Sequence, residues 1–466
     1  MKKLFTLIAL LGIWQISVAQ FSIGSQTITY NDPDRTGGFG SGGGPGRQIE
    51  CAVYYPATSA GLNAPVASGQ FPIVVFGHGF AMEWTAYQNI WQHLVPQGFI
   101  LIFPKTEGAL FPAPSHNDFG LDLVLVSERL LAENEEPSSP FFEKINGNIA
   151  IMGHSMGGGA TMLAAQNNSN IKTIIGLAPA ETNPSAIAAA ESVSVPALIL
   201  SGSSDGVTPP TQHHIPIYEA LGSSCKSFVN MVGGAHCYFA NTNVFCDFGE
   251  GSASTGILVT RAEQQAQMNS MITPWLNYYL KDECLAYSQF YHAASASGLV
   301  LTEDCSASPL ILTVSITNAI NNQSNGSAVV TVIDETSLFS ILWNTGSSTL
   351  NNVLPGNYTL TYTDTECSGT MTITIGNNTV IAGISEDELE TVMLFPNPTN
   401  GNTMFSSNLT EMFDIQIIDA AGRVVFDELQ VTLGQYQIPS AELFAGVYTI
   451  HFRSESVQFA RRLVRL

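Results

Sequence analysis

One short stretch, Gly153-His154-Ser155-Met156-Gly157, constrains the fold of this chain more than any other. It follows an apolar segment, Asn148–Met152, that is typical of a buried strand, and it leads into a run of small residues that is typical of a helix. Glycine on both sides of the serine lets the strand and helix backbones approach closely. The pattern therefore predicts a sharp strand–turn–helix that holds the Ser155 hydroxyl clear of a sheet, beside the free N–H groups of a helix N-terminus.

Two other glycine-rich stretches fit functional patterns less well. Gly202–Gly206 also matches G-x-S-x-G around Ser204, but turn-forming residues follow it instead of a helix. Gly38–Gly43 matches the dinucleotide-binding pattern G-x-G-x-x-G, but no apolar strand precedes it and no helix follows it. The flanking residues favour Ser155 as the candidate nucleophile, with a structural turn as the alternative, and we expect no cofactor.

Residues 20–305 alternate strand-like and helix-like stretches, which predicts an α/β fold with a mostly parallel sheet covered by helices on both faces. The predicted strands are Phe71–Phe76, Phe99–Phe103, Asn148–Met152, Ile174–Leu177 and Pro196–Leu200, and the predicted helices are Glu83–Leu94 and Leu121–Glu135. With 466 residues the chain has room for about two to four domains.

A serine hydroxyl becomes a nucleophile at neutral pH only beside a base, and that base needs a carboxylate to hold its tautomer. With this kind of turn, the order along the chain is Ser, Asp, His. Asp205 follows the predicted strand Pro196–Leu200, and His236 lies in the loop after the strand-like Ser227–Val232. We therefore expect Ser155, Asp205 and His236 to be catalytic. The alternatives are an Asp205 that caps a turn and a His236 on the surface.

Other histidines are weaker candidates for the base. His213 and His214 open a predicted helix, and His78 belongs to a different loop. The side chain of His154 should point away from the base, on the other side of the turn. His236 is the histidine that completes the order Ser, Asp, His.

Two backbone N–H groups are expected to form an oxyanion hole, one from Met156 and one from Phe80 in the loop Gly77–Ala81. The candidate substrate-binding residues are Phe80, Trp84, His154 and Tyr238. The aromatic members of this set are equally compatible with core positions. No cysteine has CxxC spacing, and we predict no metal site.

The first 19 residues have the pattern of an export signal. Lys2 and Lys3 precede the apolar Leu4–Trp14, and Ser17-Val18-Ala19 provides small residues for cleavage. A net charge of −22 argues against binding to nucleic acid or to an anionic membrane surface. We expect a secreted monomer.

Seven cysteines in an exported chain indicate disulfides. Proximity along the chain favours the pairs Cys237–Cys246 and Cys284–Cys305. Cys367 stands apart from the others in a later segment and is predicted to be free.

Beyond residue 306 the sequence is rich in Thr, Ser, Asn and Gly, which indicates β structure with many turns. The strands predicted here are Val329–Ile333, Phe339–Trp343, Tyr358–Tyr362 and Met371–Ile375. They predict a β-sandwich over residues 306–380. An acidic linker at 381–390 then leads to a further β-rich domain at 391–466.

The motifs Gly77–Phe80, Gly153–Gly159, Asp205 and Gly234–His236 together resemble the α/β-hydrolase branch of bacterial cutinases and polyester (PET) hydrolases, relatives of dienelactone hydrolases and chlorophyllases. The resemblance spans roughly residues 50–285 and implies a sheet of eight or nine strands. It implies a carboxylic ester hydrolase for ester or polyester substrates, with the three candidate residues in the roles given above. A lipase or chlorophyllase-like esterase is the alternative within this class, and a non-catalytic surface adhesion protein is the alternative outside it.

The end of the chain carries four further motifs: Leu394–Pro398, Asp419–Val424, Gly446–Tyr448 and Arg462–Val464. Together they resemble the C-terminal sorting domain of the type IX secretion system of Bacteroidota. The resemblance implies export through the outer membrane, with the secretion machinery as a partner of residues 391–466. The preceding domain resembles the Ig-like repeats of the same surface proteins, through Leu342–Gly346 and Leu354–Tyr358.

Overall fold

The computed structural model describes residues 21–306, 309–333, 339–363, 368–378, 393–406, 412–419, 423–432, 435–454 and 458–466. The predicted export signal and the predicted acidic linker lie outside these residues. The chain divides into two compact units, Met1–Ser315 with Val329–Ser348 and Thr359–Met371, and Ile316–Ala328 with Thr349–Tyr358 and Thr372–Leu466. In the described part of the chain, no helix is both long and apolar enough to cross a membrane.

Strands and helices alternate through residues 21–306. The strands are β1 (Ser22–Asp32), β2 (Gly38–Phe39), β3 (Arg47–Ala57), β4 (Gly61–Leu62), β5 (Phe71–Gly77), β6 (Ile100–Pro104), β7 (Ile145–His154), β8 (Thr173–Leu177), β9 (Ala197–Gly202), β10 (Cys225–Met231) and β11 (Leu299–Cys305). The α-helices are α1 (Gln88–Leu94), α2 (His116–Ala132), α3 (Met156–Ala165), α4 (Ala186–Ala190), α5 (His214–Ala220), α6 (Val244–Ala253), α7 (Arg261–Lys281) and α8 (Ala286–Ala294). Short 3-10 helices occupy Trp84–Tyr87, Val95–Gln97, Glu133–Glu135 and Cys237–Phe239.

These strands form one sheet in the order β11-β10-β9-β8-β7-β5-β6-β3-β1-β4, with β2 paired to β3. The central strands β6, β5, β7, β8, β9 and β10 are parallel to one another. Antiparallel pairing is confined to β1–β3–β6 at one side and β10–β11 at the other. The predicted α/β fold with a mostly parallel sheet is confirmed, but this sheet has eleven strands rather than the predicted eight or nine. Two of the additional strands, β2 and β4, have only two residues each, too short for a sequence pattern to predict.

Both faces of this sheet are covered, as the apolar strand sequences require. All seven residues of β5 are buried. Ile73 and Val75 pack in a core with helices α2 and α3, whereas Val74 and Phe76 point the other way into a core with α1 and α7. The alternation of side chains along one strand therefore divides the apolar residues between two cores.

Helix α2 begins before the predicted start at Leu121 because Ser115 caps it. The Ser115 hydroxyl accepts a hydrogen bond from the N–H of Asp118 at 3.2 Å. Such a cap satisfies one of the free N–H groups of the first turn. The predicted helix Glu83–Leu94 is likewise shifted, since a 3-10 helix occupies Trp84–Tyr87 before α1 begins.

Two disulfides are described in full, and one of them corrects the predicted pairing. Cys237 is bonded to Cys246, as predicted. Cys305 is bonded to Cys225, so the predicted pair Cys284–Cys305 is wrong. The reason is strand register, because antiparallel pairing of β10 with β11 sets Cys225 directly opposite Cys305. Cys284 is also in a disulfide, and Cys367 lies outside the described residues.

The described residues after 306 are built mainly from short strands. They are β12 (Ile311–Thr317), β13 (Ala319–Ile320), β14 (Gly326–Ile333), β15 (Ser340–Trp343), β16 (Leu350–Val353), β17 (Gly356–Thr363), β18 (Ser368–Ile375), β19 (Asn377–Asn378), β20 (Met393–Phe395), β21 (Thr403–Ser406), β22 (Met412–Ile418), β23 (Val424–Thr432), β24 (Gln435–Ile438), β25 (Gly446–Arg453) and β26 (Gln458–Arg465), with a 3-10 helix at Ser440–Glu442. From residue 393 onward they form two antiparallel sheets, β20-β21-β24 and β23-β22-β25-β26.

Glycines permit an unusually close approach of helix α3 to strands β5 and β7. A Cβ atom placed on Gly157 would lie 2.1 Å from the carbonyl oxygen of Gly77 and 2.6 Å from that of His78. A Cβ on Gly153 would lie 2.2 Å from the carbonyl oxygen of Gly157. Backbone atoms cannot yield as a flexible side chain can, so these positions accept no side chain without displacing the helix.

We predict that Gly157→Ala destabilises the fold by about 3 kcal/mol or more, because overpacking against rigid backbone is costly. Gly251→Ala is the control, since a Cβ there meets nothing within 4 Å. It should be neutral or stabilising by up to ~1 kcal/mol through helix propensity. Urea unfolding followed by tryptophan fluorescence measures both changes. Equal stability of Gly157→Ala and the parent protein would contradict the argument.

Candidate active site

Ser155 lies in the turn between β7 and α3, in a backbone conformation that serine rarely adopts. Its φ is +56° and its ψ is −120°. Three backbone hydrogen bonds fix the turn: the N–H of Ser155 donates to Leu177 at 2.9 Å, and its carbonyl accepts from Gly159 at 3.0 Å and Ala180 at 2.9 Å. Strained conformations held in this way are concentrated at functional sites. The preceding residue, His154, is fully buried.

Asp205 lies in the loop after β9 with its carboxylate buried and fully engaged. Oδ1 accepts hydrogen bonds from the N–H groups of Val207 at 2.9 Å and Thr208 at 2.7 Å. Oδ2 lies 2.7 Å from Nδ1 of His236 and 2.9 Å from Oγ1 of Thr208. Burial alone would raise the pKa of this carboxyl, but His236, His214 and the N–H of Thr208 together outweigh burial and hold the pKa below its usual range. Asp205 is therefore an anion at neutral pH.

The loop that carries His236 is clamped on both sides of the histidine. The side-chain amide of Gln264 accepts from the N–H of Ala235 and donates to its carbonyl, both at 2.8 Å. The N–H of Cys237 donates to Glu250 at 2.5 Å. Sequence reasoning missed Gln264 and Glu250, since no local pattern distinguishes them from the other polar residues of α7 and α6. Their burial is what marks them.

The two neighbouring histidines take other roles. Nε2 of His214 lies 3.6 Å from Oδ2 of Asp205, beyond hydrogen-bond distance, and its Nδ1 lies 2.8 Å from the hydroxyl of Ser201. Burial lowers the pKa of His214 to about 3, so its ring is neutral at pH 7. His213 instead accepts a hydrogen bond from the N–H of Glu181 at 2.9 Å. Of the three histidines, only His236 makes a short contact with Asp205.

Parallel strand register brings the two candidate oxyanion donors to the same edge of the sheet. Gly77 at the end of β5 is paired with Gly153 near the end of β7. The loop with Phe80 follows the first strand, and Met156, the first residue of α3, follows the second. Carboxyl ends of parallel strands share one edge, where ligands bind in α/β sheets. The Met156 side chain is buried, whereas that of Phe80 is half exposed.

The other predicted substrate-binding residues lie partly exposed and have partners of their own. The indole N–H of Trp84 donates to the hydroxyl of Tyr54 at 3.3 Å, and Nζ of Lys105 lies 4.3 Å from the Trp84 ring centre. The guanidinium of Arg261 lies over the ring of Tyr238, with its Cζ atom 4.6 Å from the ring centre. These contacts fix the orientation of both rings, and their role toward a substrate stays a prediction.

Helix α6 lies beside the loops that carry the candidate acid and base. Its Cys246 is disulfide-bonded to Cys237, the residue after His236. A Cβ on Gly206, the residue after Asp205, would lie 2.1 Å from the carbonyl oxygen of Ala253. The exposed apolar residues of this helix are Val244, Phe245 and Phe248. A helix that is covalently joined to the loop of the candidate base thus has exposed aromatic side chains.

Comparison with known proteins shows the family of this chain. The family model described as PET hydrolase-like matches residues 15–298, more than half of the chain. The chain belongs to the PET hydrolase-like family. A second family model, a secretion-system C-terminal sorting domain, matches residues 393–465. This PET hydrolase-like chain is therefore an exported protein, and the type IX sorting domain predicted at its end is confirmed.

Curated relatives of this PET hydrolase-like chain share its first half. A bis(hydroxyethyl) terephthalate hydrolase from Streptomyces coelicolor is 28% identical over 225 residues, which are 47% of this chain and 60% of the relative. Cutinase est1 from Thermobifida alba is 24% identical over 47% of this chain and 66% of its own length. Cutinase 1 from Thermobifida cellulosilytica is 26% identical over 47% of this chain and 75% of its own length. The chain thus spans 60% of the length of the first of these relatives.

We predict that His214 makes the fold of this PET hydrolase-like chain acid-sensitive. Its folded-state pKa is lowered from 6.5 to about 3, so below pH 6.5 the unfolded chain takes up a proton that the folded chain refuses. The free energy of unfolding should therefore decrease as the pH is lowered from 6.5 toward 3. His214 alone should contribute up to ~1.4 kcal/mol of this decrease per pH unit.

His214→Gln keeps a donor and an acceptor but does not titrate. Between pH 5 and pH 4, the slope of its unfolding free energy against pH should therefore be smaller than that of the parent by an amount equal to about one bound proton. Urea unfolding at a series of pH values measures the slope. An unchanged slope would mean that His214 is not held neutral.

Proposed function

We propose that this chain is a secreted serine hydrolase that cleaves carboxylic esters, with Ser155 as nucleophile, His236 as base and Asp205 as the acid that orients the base. The observation that carries the proposal is the buried 2.7 Å contact between Nδ1 of His236 and Oδ2 of Asp205. That contact lies at the sheet edge where the strained turn presents Ser155. The family and the printed names of the relatives, cutinases and a terephthalate ester hydrolase, support the same chemistry.

In the proposed reaction, the Asp205 carboxylate accepts from Nδ1–H of His236 and leaves Nε2 as the free base. Nε2 takes the Ser155 hydroxyl proton while Oγ bonds to the ester carbonyl carbon. The carbonyl electrons move to oxygen, and this oxyanion accepts hydrogen bonds from the N–H groups of Phe80 and Met156. The protonated His236 then gives its proton to the leaving alkoxide as the C–O bond breaks. Water, deprotonated by the same histidine, then attacks the acyl carbon. The histidine returns this proton to Oγ of Ser155 as the acyl–Oγ bond breaks and the acid is released.

We further propose short esters and aromatic polyesters as the substrate class. The half-exposed Phe80 and the partly exposed Trp84 and Tyr238 offer aromatic surface near the candidate site, and α6 adds Phe245 and Phe248. Aromatic faces favour stacking on terephthalate-like rings. A long-chain lipase or a chlorophyllase-like esterase is the alternative within the same chemistry. The machinery that recognises residues 391–466 is the proposed partner for export.

We expect Ser155→Ala to lower kcat on p-nitrophenyl butyrate by about 10⁴-fold or more, because the nucleophile is lost while the fold is kept. Ser204→Ala is the matched control from the other G-x-S-x-G stretch, and it should keep its activity. The Ser204 hydroxyl donates to the carbonyl of Gly256 at 2.7 Å and has no part in the reaction. Fluorophosphonate should label the parent protein and Ser204→Ala but not Ser155→Ala. Full activity of Ser155→Ala would refute the proposal.

A substrate panel tests the proposed class. It contains p-nitrophenyl esters of rising chain length, bis(hydroxyethyl) terephthalate, polyester film and chlorophyll. We expect highest rates on short esters and release of terephthalate products from the two aromatic substrates. Activity confined to long acyl chains would support a lipase, and activity confined to chlorophyll would support a chlorophyllase-like enzyme. Inactivity on the whole panel without fluorophosphonate labelling would support a binding protein.

A further inference from the structure

A chain of buried hydrogen bonds joins the loop of the candidate oxyanion donor to the loop of the candidate base. The N–H of Gly79, the residue before Phe80, donates to the hydroxyl oxygen of Tyr87 at 2.8 Å. That oxygen lies 2.9 Å from Nδ1 of His154. Nε2 of His154 lies 3.0 Å from the backbone carbonyl oxygen of His236. Three segments far apart in sequence are connected through two side chains.

The proton positions along this chain follow from chemistry. Burial lowers the pKa of His154 well below its usual value, and the neighbouring His236 lowers it further, so the ring is neutral and has one N–H. The carbonyl of His236 can only accept, so that N–H is on Nε2. Nδ1 is then an acceptor for the Tyr87 O–H. The Tyr87 oxygen in turn accepts from Gly79, so each donor is matched to one acceptor.

Burial makes these bonds costly to lose. Tyr87 and His154 have no exposed surface. The alternative acceptor for the Tyr87 hydroxyl is the sulfur of Met82 at 3.3 Å, which is a weaker acceptor than an imidazole nitrogen. A buried polar group without a partner keeps its full desolvation penalty. The network therefore has one favourable arrangement of its hydrogen bonds, as expected for residues that hold neighbouring loops in fixed positions.

At the oxyanion loop, the network fixes the His78–Gly79 peptide, whose N–H donates to Tyr87. The carbonyl oxygen of Gly79 lies 2.9 Å from Nδ1 of His78, and Nε2 of the same ring lies 2.8 Å from the carbonyl oxygen of Thr106. Burial lowers the pKa of His78, so the neutral ring has one N–H and donates to one of these two carbonyls. The N–H of Phe80 belongs to the same planar trans peptide as the Gly79 carbonyl and points the opposite way. By holding the Gly79 N–H, Tyr87 therefore fixes the residue from which the Phe80 N–H is positioned.

At the base loop, the same network ties His236 to the residue before the nucleophile. The rings of His154 and His236 lie 4.7 Å apart, in addition to the hydrogen bond from Nε2 of His154 to the His236 carbonyl. Because His154 is the last residue of β7 and Ser155 follows it directly, a displacement of His154 would move the base relative to the serine.

We propose that Tyr87 and His154 are positioning residues that hold the Phe80 N–H and the His236 backbone in register with Ser155. This proposal rests on the proposed ester hydrolysis. It replaces the expected role of His154 as a substrate-binding residue, since a fully buried ring offers no surface to a substrate. Neither residue touches the reacting atoms, so their effect should fall on the chemical step rather than on binding.

The first test is Tyr87→Phe, which removes the hydroxyl but keeps the ring that packs 4.6 Å from Phe76. We expect kcat on p-nitrophenyl butyrate to fall about 10- to 100-fold, since small misplacements of catalytic groups have effects of this size, with KM within about twofold of the parent. Tyr287→Phe is the matched control. It removes a buried hydroxyl that donates to Glu303 at 2.7 Å on strand β11, at the far edge of the sheet. It should lower Tm comparably and leave kcat unchanged.

The second test compares two replacements of His154. His154→Gln keeps one donor and one acceptor, whereas His154→Leu keeps neither. We expect His154→Gln to retain at least about tenfold more kcat than His154→Leu. This rescue does not depend on Tyr87→Phe folding well.

Four outcomes would count against one of the two proposals. Loss of Tm without loss of kcat in Tyr87→Phe and His154→Leu would overturn the proposal and leave a purely structural role. A rise in KM alone would overturn it in favour of substrate binding. Full activity of Ser155→Ala would refute the proposed hydrolase itself. With Ser155→Ala inactive, a normal kcat in all network variants refutes the positioning role alone.

Discussion

The contact between helix α3 and strands β5 and β7 is the constraint on which the candidate site depends. Helix and strands meet through backbone atoms, because Gly77, Gly153 and Gly157 leave no side chains between them. This proximity forces the chain to reverse direction within the single residue Ser155, whose positive φ is the local cost. The same contact brings the N-terminus of α3 to the loop that follows β5. The serine, its helix N-terminus and the Phe80 loop are therefore set by one packing arrangement.

Around this turn the ionisable side chains are buried, and one of them is charged while two of its neighbours are neutral. Asp205 is held as an anion by four hydrogen-bond donors, including His236. His154 and His214 are held neutral by burial. A single carboxylate thus faces one histidine at hydrogen-bond distance, while the others cannot compete for its charge. In a low-dielectric surrounding, the interaction between this carboxylate and the one histidine is stronger than it would be in water.

Sequence patterns predicted the parts of the molecule that depend on local order. The α/β fold and the strand on each side of the Ser155 turn follow from short-range apolar patterns and glycine spacing. Asp205 and His236 could be chosen because they follow strands in the expected order, and the structure brings them together. The Cys225–Cys305 bond could not be found this way, because it depends on which residues of β10 and β11 are opposite each other. Gln264, Glu250 and the burial of His154 likewise depend on contacts between segments far apart in the chain.

The disulfide between Cys237 and Cys246 determines in which compartment the loop of the candidate base is completed. It joins the residue after His236 to helix α6, so it is a covalent part of the loop that carries the candidate base. Disulfides of this kind form in oxidising compartments and are rare in the reducing cytosol. For an exported chain, the last constraint on that loop is therefore added only after the polypeptide has left the compartment in which it is synthesised.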